Sequence, residues 1–393
     1  MMIRKTTLLL CCLSPLLMCA QSPEPAKLEV GGYIKFLQIT NFFDDSGSPI
    51  PLSPITNNFF HNRINLAYYP NEKWKVVAEM RNRLFYGEQV KLTPGYGRSI
   101  DQQSGLVDLS IRWVDEGGVV LHSIFDRAYV NYATEKVDVR LGRQRINWGL
   151  NLIWNPNDLF NALNFLDFDY EERPGTDALR VQYYTGILSK AEIAFAPDDT
   201  IANSIGAAMY KFNFKGYDIQ TLAGYYRGDA ALGAGWEGNL GSAGFKGEGT
   251  VFIPMEPSSD SSSSVVGSIT VDYLFGNGVY AAAALLYNSN GENAGASANN
   301  GLFTGQPSAK NLFPAKWAYA INASGNVSPL FSLSAAVIYS PTNQLTVLAP
   351  TLTYSIKENW DLDAILQSLF WSPFGQPYGH GGSSAFFRMR WSF

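Results

Sequence analysis

Ser383 to Phe393, SSAFFRMRWSF, alternates without a fault at its end: Phe387, Met389, Trp391 and Phe393 fall on one side, Arg388, Arg390 and Ser392 on the other. Successive side chains of a β-strand point to opposite faces, so this is a strand with one aromatic face and one cationic face. A soluble sheet would bury the aromatic face and give the arginines to bulk water. A closed barrel in lipid would reverse this, setting aromatics against acyl chains and guanidinium groups around a wet lumen. The rest of the chain decides between the two.

Reading upstream for a period of two finds the same pattern repeatedly. Phe59 to Tyr69 places Phe60, Ile64, Leu66 and Tyr68 opposite His61, Arg63 and Asn65, and Trp74 to Tyr86 places Trp74, Val76, Ala78 and Met80 opposite Lys75, Glu79, Arg81 and Arg83. Leu121 to Tyr132 turns Ala128, Val130 and Tyr132 outward and Arg127, Tyr129 and Asn131 inward. Further segments of about ten residues follow, separated alternately by tight turns such as FGNGV and polar loops such as NSNGENAGASANNG. Together with Lys27 to Phe43 they predict an all-β, transmembrane antiparallel barrel of about 18 strands (16–18), an even number. The region from Glu88 to Val120 reads only as a long Gly- and Asp-bearing loop.

Composition agrees with this. Aromatics are abundant (Tyr 21, Phe 24, Trp 9), while the longest apolar run beyond the N-terminus, Val279 to Tyr287, is far too short for a spanning helix. The first residues have a basic start at Arg4 and Lys5, an apolar stretch from Leu8 to Met18 and a small residue at Ala20, the layout of a signal peptide over residues 1–20. Met18 before Cys19 argues against lipidation. Cleavage there would remove Cys11, Cys12 and Cys19, every cysteine of the chain, leaving neither a disulfide framework nor a thiolate metal site. With Arg4 and Lys5 gone, 27 basic residues face 34 acidic ones, a net charge of −7 that disfavours nucleic acid as a partner. Residues 21–393 are expected to form one barrel domain, with strands starting near Lys27.

The final strand resembles that of Gram-negative outer-membrane β-barrels, which alternates in this way, ends in an aromatic residue and is recognised by the outer-membrane assembly machinery. The block FDRAYVNYATEKVDVRLGRQRINWG (Phe125 to Gly149) resembles a hairpin of porins of the alginate-export and phosphate-selective kinds, with an acidic residue before AYV and a strand carrying GRQ and WG. The resemblance covers about 25 residues closely and implies a channel in the cell outer membrane, with lipid and small-molecule solutes as partners. Trimers are common among such proteins, so a homo-oligomer is in view.

In a closed barrel the inward side chains decide what passes. Alternation turns Arg63, Arg81, Arg83, Arg127, Arg140, Arg180, Arg388 and Arg390 inward. Because the last strand closes on the first, they share one side of the wall. Arg143 and Arg145 break parity: a bulge near Gly142 would return them to the lumen, or they lie above the hydrocarbon layer. After this fifth strand, Leu150 to Gly175 is too long for an ordinary connection and is expected to fold inward, bringing Asp167, Asp169, Glu171 and Glu172 to face the arginines across a pore constriction; the alternative is a surface loop. Such a field favours anionic or dipolar solutes, unless the charges merely neutralise one another as scaffold. Trp148, Trp154, Phe160, Phe165, Phe168 and Tyr170 fit either packing of this loop or saccharide stacking.

Passive diffusion of small hydrophilic, anionic or saccharide solutes is therefore the expected function, with no cofactor, metal or catalytic residues. An enzyme would need a catalytic set, and His61, His122 and His380 are scattered without metal-ligand spacing. Asp361 and Asp363 face the same way on one strand and suit lumen lining. A non-conducting adhesin or receptor barrel using its outer loops is the other alternative.

Overall fold

The computed structural model describes residues 27–43, 53–101, 105–162, 173, 175–256, 262–291, 308–342, 344–372 and 377–393. The expected leader, residues 1–20, lies outside them. Strands β1 (Leu28–Phe43), β2 (Ile55–Asn71) and β3 (Trp74–Gly87) lead to two short helices, α1 (Glu88–Leu92) and α2 (Tyr96–Ile100). Then come β4 (Ser110–Glu116), β5 (Val119–Ala133) and β6 (Val137–Gln144), and after a long connection β7 (Thr176–Gly186), β8 (Ser189–Ala196), β9 (Ile205–Phe214) and β10 (Tyr217–Tyr226). The wall continues through β11 (Asp229–Leu240), β12 (Ala243–Pro254), β13 (Ser264–Leu274), β14 (Tyr280–Asn288) and β15 (Trp317–Ser328). It finishes with β16 (Phe331–Ser340), β17 (Leu345–Lys357), β18 (Trp360–Trp371) and β19 (Gly379–Ser392).

Every described pairing is antiparallel, and β1 pairs with both β2 and β19, so the sheet closes on itself. Eighteen strands form the ring; the nineteenth, β4, pairs with β5 alone while β3 reaches past it to β5 directly. Most short turns, the start of β1 and the end of β19 share one rim, and the longer connections share the other, together with the tight β10–β11 turn. Closure removes the sheet edges that lipid would leave unsatisfied.

The faces follow the alternation. On β2, Phe60, Leu66 and Tyr68 are exposed on the outside while His61 and Arg63 are each 1% exposed on the inside. The outward apolar row continues around the ring through residues such as Ile193, Leu232, Ile269, Ile321 and Leu352. This is the face a membrane barrel presents to hydrocarbon.

The segment Glu88 to Val120, illegible in the sequence, supplies three elements. α1 and α2 lie over the inner face of the neighbouring strands, where Val90 joins Leu37, Phe59, Phe85 and Val120 in a small core with Tyr96 and Ile100 against it. β4 then occupies the wall beside the upper part of β5, with Ser110 opposite Ile124 and Glu116 opposite Val119, whereas β6 pairs only with the lower part, from Ala128 to Ala133. β4 thus stands where β6 would have continued. β6 stops at Gln144, four residues before the Trp148 that the alternation suggested, and the chain leaves the wall for the interior.

The bulge expected near Gly142 is not there: β5 and β6 pair without a register shift, Gly142 taking a φ of 119° opposite Tyr129. The irregularity sits one strand earlier, between Glu79 and Met80 of β3 and their partners Arg127 and Phe125, leaving Asp126 as the extra residue of β5. A bulge turns two successive side chains to one face. Here it points Asp126 and Arg127 inward together.

Candidate functional site

The inside of the barrel divides into two unlike halves. From β18 through β19, β1, β2, β3 and β5 to β8 the inner face is an arc of ion pairs. Arg390 meets Asp361 and Arg388 meets Asp363, each at 2.9 Å across the β18–β19 pair. Arg63 holds Glu79 and Asp126, both at 2.5 Å, and Arg81 reaches the other Asp126 oxygen at 2.8 Å. Arg127 donates to the carbonyls of Asp126 and Arg173, both at 2.7 Å. Farther round, Arg180 pairs with Asp138 at 3.2 Å and stands 3.8 Å from Glu192, which also meets Lys190 at 3.3 Å.

The expected arginines therefore do gather on one contiguous side, but most are answered by carboxylates of the wall itself. Arg63 is buried in its pairs. Arg83 donates to His122 Nδ1 at 3.3 Å and lies over the Phe85 ring, while His122 Nε2 meets Asp101 at 2.9 Å. Arg140 is different: among the described residues it donates to Asn131 Oδ1 at 3.1 Å, stacks 4.5 Å over Tyr129 and has no carboxylate within ion-pair distance. A half-buried guanidinium held by an amide and a ring keeps a charge that these two contacts do not neutralise.

Arg143 corrects the expectation that it lines the lumen. It is 3% exposed, forks onto Asp177 at 2.8 and 2.9 Å and donates to Val107 O at 2.5 Å, while Val107 N donates back to Asp177 at 2.9 Å. This knot fastens the start of β4 to the tops of β6 and β7. Arg145 opens the inward segment, where its charge acts on Asp158. Asp167, Asp169, Glu171 and Glu172 lie outside the described residues, as do Phe165, Phe168 and Tyr170.

The other half of the interior is largely apolar, with Gln220, Glu248, Thr250 and Ser268 as buried polar side chains among the apolar ones. Ala194, Ala207, Met209, Leu222, Phe252, Leu286, Ala320, Ile338 and Val347 are inward wall residues of β8 to β17, and all are buried. What covers them is the segment from Ile146 to Phe160, which brings Ile146, Trp148, Ile153, Trp154, Leu159 and Phe160 into the same core, with Leu312 and Phe313 of a second segment beside them. Burying side chains of this size contributes about 1.5–3 kcal/mol each. Trp148 and Phe160 meet edge to face at 5.1 Å, and Trp154 and Phe313 at 6.2 Å, so these rings pack and are closed to a passing sugar.

Polar anchors fix the segment at both ends. Trp148 Nε1 donates to Glu192 at 2.8 Å, Leu150 N and Asn155 Nδ2 donate to Glu248 at 3.0 Å each, and Asn157 Nδ2 donates to Ala234 O at 3.1 Å. Gln220 Nε2 returns a bond to Trp148 O at 2.7 Å. Asp158, fully buried, sits 3.6 Å from Arg173 Nη1. Burial pushes its carboxyl up to about 7, against the pull of Arg173, Arg145 and the Trp148 and Asn161 amides. The first part of the inward loop expected after the fifth strand, to Asn161, is thus present and begins at Arg145, five residues before Leu150; residues 163–172 of that loop lie outside the described residues.

No family model and no curated protein matches this sequence. Solved structures do match the fold. OccAB4 of Acinetobacter baumannii superposes over 95% of this chain and 100% of its own, with a TM-score of 0.57 at 9% identity. A BenF-like porin from Pseudomonas fluorescens Pf-5 covers 93% and 99%, with a TM-score of 0.58 at 9% identity, and OccK11 of Pseudomonas aeruginosa covers 93% and 96%, at 0.56 and 7%. The fold is that of Gram-negative outer-membrane porins.

Proposed function

We propose that the chain is a channel for passive diffusion of small hydrophilic, anionic solutes, which pass between the inward segment and the charged arc. The observation that carries this is the division of the interior. One half is filled by largely apolar packing, so the polar route runs along the half that holds the eight arginines turned inward by alternation. Where carboxylates already answer the guanidinium groups, the field is local and scaffolding. It is Arg140 that leaves positive charge for a solute carboxylate or phosphate, Arg180 opposite it on the neighbouring strand being paired with Asp138. The burial of Trp148, Trp154 and Phe160 takes these three rings out of a saccharide path.

Purified protein in a planar bilayer should give stable ion steps, and a salt gradient should give a reversal potential on the anion side. Absence of steps at every voltage would remove the channel reading in favour of a loop-based adhesin. Cation preference with Arg140 intact would remove the anionic one.

A further inference from the structure

The barrel wall is of unequal height. β1, β2, β3 and β5 are 14 to 17 residues long, whereas β7 to β14 run to only 8 to 12. At about 3.3 Å per residue on strands tilted by about 40°, β2 covers roughly 40 Å along the membrane normal and β8 about 20 Å, against a hydrocarbon band about 25 Å tall. One side overspans the band and the other barely reaches across it.

The charged residues nearest the short wall fix where it sits. Beyond the upper end of β8, Asp198 and Asp199 are exposed, and carboxylates belong in water or among headgroups. Leu188, in the turn at the other end of β8, is ten residues from Asp198, roughly 25 Å at the same tilt. With both aspartates above the hydrocarbon, that turn stands at its lower boundary.

The turns at that rim divide in the same way. Those joining β7–β8, β9–β10, β11–β12, β13–β14 and β15–β16 hold one charged residue among them, Lys215, while those joining β2–β3, β5–β6 and β17–β18 hold Glu72, Lys73, Glu135, Lys136 and Glu358. On the short side the apolar face runs out to the tips. Ile187 and Leu188 are both exposed, Phe214 and Leu240 keep the outward parity of Tyr210 and Leu232, and Phe275 meets Tyr273 edge to face at 4.8 Å. Lys215 lies over the Phe214 ring at 5.3 Å, and a lysine at an interface keeps its stem in lipid and its ammonium among phosphates. On the tall side, ring pairs such as Trp74–Tyr132 and Trp360–Trp391 close the apolar band before the charged tips begin.

Short turns of such barrels face the periplasm. We infer that the rim from β7 to β14 is a lipid contact: its turns lie within the inner leaflet, against phospholipid acyl chains, while the turns of β17–β18, β2–β3 and β5–β6 stand in periplasmic water. Phospholipid is the occupant because these tips continue the outward apolar face without a break, and that face already meets the membrane. Unequal walls fit a bilayer of one thickness by tilting or by thinning it locally. The contact uses only the outside and the rim, so it is independent of what the lumen conducts.

The test is site-directed spin labelling of the refolded full chain in phosphatidylethanolamine and phosphatidylglycerol vesicles, with Cys11, Cys12 and Cys19 changed to Ser and heat-modifiable migration confirming the fold. With a water-soluble nickel chelate on both sides of the membrane, labels at Leu188→Cys and Leu240→Cys should collide more often with oxygen than with the chelate. Labels at Lys73→Cys and Glu135→Cys should show the reverse. Equal access of the chelate to all four positions would overturn the proposal. So would labels at 188 and 240 that are open to the chelate in these vesicles and shielded only in outer membranes, because the occupant would then be a protein of the periplasm.

Discussion

At Asp126 a single added residue does the work of a whole electrostatic pattern. The bulge on β5 brings its carboxylate between Arg63 and Arg81, and all three groups are buried or nearly so. Removing one partner of a buried pair strands the other charge, which costs about 3–5 kcal/mol. Asp126→Ala is therefore expected to lower the unfolding free energy by about that amount, read from urea transitions of the refolded barrel.

Arg140 and Arg388 should separate available charge from scaffold charge. Arg140→Gln is expected to shift the reversal potential toward cations, while Arg388→Gln, whose partner Asp363 is 2.9 Å away, should move stability more than selectivity. Similar shifts from both would show that position along the arc, rather than pairing, sets the field.

Asp158 gives a pH dependence whose sign follows from its environment. The folded chain keeps the proton up to about 7, while the free carboxyl releases it near 3.8. Between these values the unfolded state binds fewer protons, so anchoring of the segment is strongest at low pH, weakens as pH rises and levels off above about 7. Tryptophan fluorescence of Trp148 and Trp154 in urea should show earlier release at about pH 8 than at about pH 4. Asp158→Asn should flatten the difference.

Among the elements, β4 is the one that reorganises its surroundings. By taking the wall above β6 it turns the chain inward at Arg145, and the Arg143–Asp177–Val107 knot holds that arrangement. Gly142 makes the turn possible: at a φ of 119° a Cβ would lie 2.3 Å from Ala128 O. Gly142→Ala is expected to destabilise the barrel by more than about 1 kcal/mol, measured as a lower urea midpoint, and to loosen the segment that follows.

The sequence was readable wherever alternation and burial agree. Phe387 to Phe393, the Phe60 face of β2 and the arginine arc all follow from parity, because each strand there has lipid on one side and water or charge on the other. Parity fails in two places. β4 carries exposed side chains on both faces and so leaves no periodic trace, and a bulge is invisible in one sequence, which let Gly142 draw the suspicion that belonged to Asp126. The scarcity of charge from Ser204 to Tyr339 was visible, but its cause was not. Those strands are largely apolar inside because Ile146 to Phe160 packs on them, a long-range contact with no local signature.

For the molecule as a whole, the ring supplies shape and the segment, on the function proposed above, sets the path. Glu248 and Glu192 hold the segment from the far wall, so Glu248→Ala should release Leu150 and Asn155 and raise the noise of the open level before it changes mean conductance. An unchanged noise spectrum would show that the segment stays anchored without Glu248.

The wall of β8 to β17 has one further consequence. Beside Leu222, Phe252 and Ile338 it carries Glu192, Gln220, Glu248 and Thr250, whose polar atoms hold the segment. Excising residues 146–161 should therefore not yield a simply wider pipe. Two carboxylates would be bared to the bore, and the recordings would show a larger current with a weaker preference for anions.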